Sequence, residues 1–210
     1  METLRMCGDD YVPFGNRVSY PDSGQPFKDK CEIELRQIKC SLKFADECLK
    51  GVPKTAAFIT LNAAEDYTGA ACTVGTETNE EFRKVIGCVN SVGTQVNACM
   101  RSLKRDLQRS IVKAPTKDVI YHTCCSYGDA EGCIHQALTP CNGVGADEYV
   151  SRLLSDVLGG TLELVCGNYT VNSDACKARP KLPQLGPDDR TSENFVELII
   201  GAANTIGRKD

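Results

Sequence analysis

The chain has 210 residues and a net charge of −4, and its basic residues are dispersed, which argues against a nucleic-acid surface. Apolar residues reach 41%, enough for a core. No run is long and apolar enough for a transmembrane helix, and the lack of Trp with only 6% aromatics argues against a sugar-stacking surface. Thirteen cysteines predict an oxidising compartment and a secreted, disulfide-braced protein, because the cytosol keeps thiols reduced.

Residues 1–27 hold Pro13, Pro21, Pro26 and several Gly, and read as an extended N-terminal arm pinned, if anywhere, at Cys7. Its start, METLRMCGDDYVPFG, lacks the apolar stretch of a signal peptide, which fits a mature chain with Met1 added for expression. Cys31, Leu35, Ile38, Leu42, Ala45 and Leu49 then follow the spacing of an amphipathic helix, stopped by Gly51 and Pro53. A second helix is predicted over 55–67, followed by a Gly- and Thr-rich loop carrying Cys72.

Thr78 and Glu81 have the spacing of a capping box. Behind them Phe82, Val85, Ile86, Val89, Val92, Val96, Cys99, Leu103, Leu107 and Ile111 keep one apolar face for about eight turns, up to Pro115. Short helices are expected around 117–126 and 130–139, ended by Pro140. Residues 147–166 are helical again, with Gly159-Gly160 expected to kink them. A proline-rich linker spans 179–190. A C-terminal amphipathic helix over 191–207 then shows Phe195, Leu198, Ile199, Ala202 and Ile206 on one face, and is expected to dock on the body. The fold class is all-α, a disulfide-braced irregular helical bundle, with the cysteine-rich domain over 28–178.

At 100° per residue, Cys88 and Cys99 return to within about 20° of one face, whereas Cys31 and Cys40 point to opposite faces and clamp their helix between two partners. Adjacent Cys124 and Cys125 should each bond elsewhere, because a bridge between neighbours strains the ring. The expected disulfide set is Cys31, Cys40, Cys48, Cys88, Cys99, Cys124, Cys125, Cys133, Cys141, Cys166 and Cys176. Since thirteen is odd, Cys7 in the arm or Cys72 in its loop is the candidate for an unpaired or intermolecular thiol. Zinc is disfavoured by the long spacings and by the presence of only His122 and His135, and no metal or cofactor is expected. Asn168-Tyr169-Thr170 is a glycosylation sequon, which fits secretion.

The stretch HTCCSYGDAEGC invites comparison with secreted phospholipases A2, where two cysteines and two further residues precede His-Asp. The catalytic base would fall at Gly128, and upstream KAPTKDVIYHT has no glycine-rich calcium loop. His122 near Cys124 and His135 near Cys133 suggest a Cys–His pair, but oxidised cysteines are not nucleophiles. Gly-x-Ser-x-Gly, Walker and dinucleotide patterns are absent, so no catalytic residues are expected and the chain reads as a non-enzyme.

FRKVIGCVNSVGTQVNACMRSL, the double cysteine with IHQALTPC behind it, and LELVCGNYTVNSDACKARPKLPQL before an amphipathic tail resemble secreted arthropod proteins of the haemolymph-glycoprotein type, arachnid ones most in the last block. The resemblance covers Cys31 to the end. It implies an abundant extracellular, non-enzymatic helical protein and brings no catalytic residues. The resulting expectation is a secreted structural or binding protein, either a haemolymph-type carrier or a component of silk, glue, saliva or venom. Its possible partners are an apolar small molecule or lipid, or a second copy held through a disulfide or the C-terminal helix. The alternatives are a divergent phospholipase A2-like hydrolase around Cys124–Cys133, and an effector or inhibitor of a host protein.

Overall fold

The computed structural model describes residues 2–167 and 169–206 and contains helices and no strand among them. In chain order the α-helices are α1 (Glu2–Arg5), α2 (Gly24–Cys48), α3 (Gly51–Cys72), α4 (Glu77–Ser91), α5 (Gly93–Lys113), α6 (Val119–Leu138), α7 (Ala146–Cys166), α8 (Asp174–Lys177) and α9 (Phe195–Ala203). Single 3₁₀ segments, Thr116–Asp118 and Thr139–Val144, precede and follow α6. The fold is all-α, as the periodicity predicts.

Helices α2 and α3 form an antiparallel hairpin across Leu49-Lys50, closed at its far end by the Cys31–Cys72 bridge. Helix α7 lies antiparallel on α3. The Thr161 hydroxyl donates to the Ala56 carbonyl at 3.0 Å at one end of the contact, and the Tyr67 and Tyr149 hydroxyls meet at the other. Gly159-Gly160 does not interrupt α7. Gly160 instead lets the two helices close up, since a Cβ there would stand 3.1 Å from the Ile59 Cγ2 atom. Helices α5 and α6 form a second close pair, and α9 packs on α5, α3 and α6.

The long helix expected over 82–111 is broken. Helix α4 ends at Ser91 and α5 starts at Gly93, with Val92 between them off helical geometry (φ −108°, ψ 9°). The cause is the N-terminal arm, which crosses this point: a Cβ on Gly93 would stand 1.9 Å from the Val18 carbonyl oxygen. Two asparagines bracket the crossing. Asn90 exchanges hydrogen bonds with the Tyr20 backbone, both 2.8 Å, and the Asn97 amide donates to the Phe14 carbonyl at 2.7 Å. The apolar face stays continuous through the break, because Val89, Val92 and Val96 share one core cluster with Phe14 and Tyr20 of the arm. The arm is therefore part of the core and not a simple extended tail.

Other boundaries also shift. The cap of α4 is Thr76, whose hydroxyl accepts from the Asn79 N–H at 3.2 Å; Thr78 sits inside the first turn. Helix α3 runs on to Cys72, and the two short helices expected over 117–139 are one, α6. Helix α9 docks as expected, but it buries Val196 and Ile200 while Ile199, placed on the docking face by the sequence, remains 44% exposed. Residue 207 of the predicted helix lies outside the described residues.

Six disulfides join Cys7–Cys40, Cys31–Cys72, Cys88–Cys141, Cys99–Cys133, Cys124–Cys166 and Cys125–Cys176. This corrects the expected odd thiol. Cys7 and Cys72 are both bridged, and Cys48 is the free cysteine, exposed at the end of α2. The α2–α3 hairpin carries Cys72 back to Cys31, and the arm meets Cys40; Cys48, about 80° around the helix from Cys40, turns to solvent. The opposite-face reading of Cys31 and Cys40 holds, as does the outward bonding of the double cysteine.

Candidate functional site

Helix α6 carries Cys124, Cys125 and Cys133, and through them it is tied to α7, α8 and α5. The segment behind α7 crosses α6 at Gly128, where a Cβ would stand 3.3 Å from both Cα and Cγ2 of Val171. A histidine at that position would collide with this crossing, so the position of a phospholipase base is a packing point. Asp129, next in sequence, is ion-paired with Arg179, which also donates to the Ser126 hydroxyl at 2.9 Å and the His122 carbonyl at 3.2 Å. Arg179 is thus a polar staple from the linker onto α6.

His122 is buried, and that burial, followed by the nearby Arg179 charge, holds its imidazole below the usual value. His135 is half-exposed and pairs with Asp147 at 2.5 Å. Cys124 and Cys133 are both bridged, so neither histidine has a thiol to activate. Among the described residues no three His, Cys, Asp or Glu side chains converge to hold a metal ion. Asn168, the sequon residue, lies outside the described residues.

A second cluster escapes sequence reading. Lys30 and Glu34 look like an ordinary exposed i,i+4 pair on α2, yet their side chains are 8% and 5% exposed and meet at 3.0 Å. The Lys30 ammonium lies over the rings of Tyr20 (5.1 Å), Phe82 (5.3 Å) and Phe27 (5.7 Å), so aromatic faces replace part of its lost hydration. Burial raises the Glu34 carboxyl above its ordinary value, and the attraction of Lys30 only partly offsets this. Among the described residues the Glu34 Oε1 atom has no hydrogen-bond partner. Burial also pushes the Tyr149 hydroxyl up to about 12, and raises Tyr67, its hydrogen-bond partner, further. No alternating or motif signal marks this cluster; only the folding of the arm over α2 and α4 buries it.

Two surface clefts flank it. One, of about 430 Å³, has Phe27 and the Cys31–Cys72 bridge in its floor, with Lys28, Glu32, Arg83 and the 78% exposed Val74 around it. The other, of about 270 Å³, is reached past Tyr149 and is ringed by Glu81, Lys84, Glu148 and Arg152. No protein-family model, curated protein or solved structure matches the chain. The larger cleft joins an apolar floor to fixed charges of both signs.

The six disulfides point to an oxidising, extracellular or secretory environment. No helix of the described residues is long and apolar enough to cross a membrane.

Proposed function

We propose that this is a secreted, non-enzymatic binding or structural protein that acts through a rigid, disulfide-locked helical surface centred on the larger cleft. The observation that carries this reading is the bracing of the cleft. A disulfide forms part of its floor, and the Lys30–Glu34 pair is buried behind Phe27. A surface fixed in this way loses little conformational entropy on binding. Its partner is a peptide or protein segment presenting an apolar side chain between charges, matched by Phe27 and Val74 with Lys28, Glu32 and Arg83. The resemblance of the cysteine-bearing segments to haemolymph-type proteins supports the same class.

The test is titration of the ¹⁵N-labelled protein with short amphipathic peptides, read by NMR. Shifts clustered at Phe27, Val74 and Arg83, and lost in Val74→Asp, support the reading. Shifts confined to other surfaces, or lipid adducts in native mass spectrometry of the secreted protein, favour a carrier instead.

A further inference from the structure

Every helix from α2 to α8 contains a disulfide-bonded cysteine, whereas α9 follows the last bridge and is held by none. Its body contacts are apolar: Phe195 and Leu198 pack with Leu103, Leu107 and Ala130, and Val196 and Ile200 with Leu61 and Ile38. The rest of the attachment is a set of polar latches. Arg5 grips Glu197 with two hydrogen bonds, of 2.6 and 2.9 Å, and the Ser192 hydroxyl gives Glu197 a third at 2.6 Å. Asp9 accepts the first α9 N–H, from Phe195, at 2.6 Å. The strap leading to α9 is fastened to α5 by Lys104–Glu193 at 2.8 Å, Lys113–Asp189 at 2.7 Å and the Gln108 amide on the Ser192 carbonyl.

Glu197 is the only charged residue between positions 194 and 206. The group that latches the helix is therefore also the only charge in that stretch unsuited to lipid. We propose that α9 is a releasable lipid-binding helix, latched into the body through Glu197 and passing to the surface of a phospholipid bilayer when Glu197 loses its charge. At nine residues, or about 14 Å, it is far shorter than a bilayer core, so it lies in the interface rather than spanning it.

The groups facing Glu197 decide the pH. Arg5 comes from α1, and Ser192 and Arg190 from the strap. Asp9 occupies the helix start, and Lys104 and Gln108 of α5 hold the strap residues beside it. Leu61 of α3 and Ala130 of α6, which pack on α9, are uncharged. The hydrogen bond from Arg5 dominates and keeps the Glu197 carboxyl below the usual glutamate range despite its burial. The latch is shut at neutral pH and opens in acid.

Flotation with phosphatidylcholine vesicles tests this. Binding of the unaltered protein should rise at least about tenfold between pH 7 and about pH 3.5, with its disulfides intact and helical CD retained. Glu197→Gln should bind at pH 7. If that variant does not fold, Arg5→Ala serves in its place, moving the onset of binding to higher pH. Ile199→Lys alters a side chain that is exposed while α9 is docked; its melting temperature should be unchanged and its acid binding at least about fivefold weaker. Binding by Ile199→Lys equal to that of the unaltered protein, or no binding by Glu197→Gln at pH 7 and none by the unaltered protein in acid, overturns the proposal.

Discussion

Around α6, three disulfides radiate from Cys124, Cys125 and Cys133 to three other helices; where the arm meets α9, Arg5, Asp9, Ser192 and Glu197 hold the contact through hydrogen bonds and one ion pair. The covalent region gains stability chiefly by restricting the unfolded chain, so pH and salt barely touch it. The polar region gains from charge and hydrogen bonding in the folded state, so both conditions reach it. One molecule is thus fastened permanently on one side and reversibly on the other, and perturbations that separate these two modes are the informative ones.

Full reduction has the largest expected effect. Each bridge contributes on the order of 2–4 kcal/mol, and six together exceed the typical net stability of a domain. Reduced protein should have lost its helical CD signal at about 37 °C, and an unchanged melting curve would mean that packing alone suffices.

Gly93→Ala comes next. The added methyl would fall 1.9 Å from backbone, at Val18, and backbone cannot swing aside as a side chain can. A loss of about 2–4 kcal/mol is expected in urea melts. It should exceed that of Gly87→Ala, where a Cβ meets nothing. Equal losses would remove the arm crossing as the cause of the helix break.

Acid should act on the polar region first. Glu197, Asp189 and Asp10 are all held below their usual values, by hydrogen bonds from Arg5, Lys113 and Gln37 respectively. The stability they add is present above the ordinary carboxylate range and disappears as pH falls through their lowered values. Glu34 has the opposite sign: its carboxyl is raised, so its contribution declines as pH climbs from the ordinary glutamate value through the raised one. Lowering the pH should therefore increase amide exchange in α9 and the strap before α6, and about 1 M salt should do the same more weakly by screening the exposed pairs. Simultaneous opening of α6 and α9 would erase the distinction between the two regions.

The smallest effect belongs to Cys48→Ser. The thiol is exposed and unbridged, so stability should change by less than about 0.5 kcal/mol. A large loss would place Cys48 in a bridge.

Much of the helical framework was legible because apolar spacing survives in α2, α5, α7 and α9 with little help from context. The outward bonding of Cys124 and Cys125 was legible too, since it follows from the strain in a ring that small. What the sequence hid is long-range. Nothing local to Val92-Gly93 announces that Val18 will pass over it, and Lys30 and Glu34 carry the pattern of a solvated pair until Tyr20, Phe27 and Phe82 close around them. The unpaired thiol was misplaced for the same reason: the partner of Cys31 depends on the hairpin that returns Cys72 to it, and spacing along one helix cannot report that.

The bridges also divide the chain into two closed circles. Cys7, Cys31, Cys40 and Cys72 bond only among themselves, and the eight cysteines from Cys88 to Cys176 likewise. A protease cut anywhere between Cys88 and Cys176 leaves one covalent molecule, because some bridge always spans the gap. A single cut after Thr73, beside the exposed Val74 and the left-handed Gly75, severs it into two polypeptides that part in denaturant without any reductant. The short α3–α4 loop is thus the seam between the two bridged circles, where hydrolysis alone can unpick this heavily stitched protein into two disulfide-bonded halves.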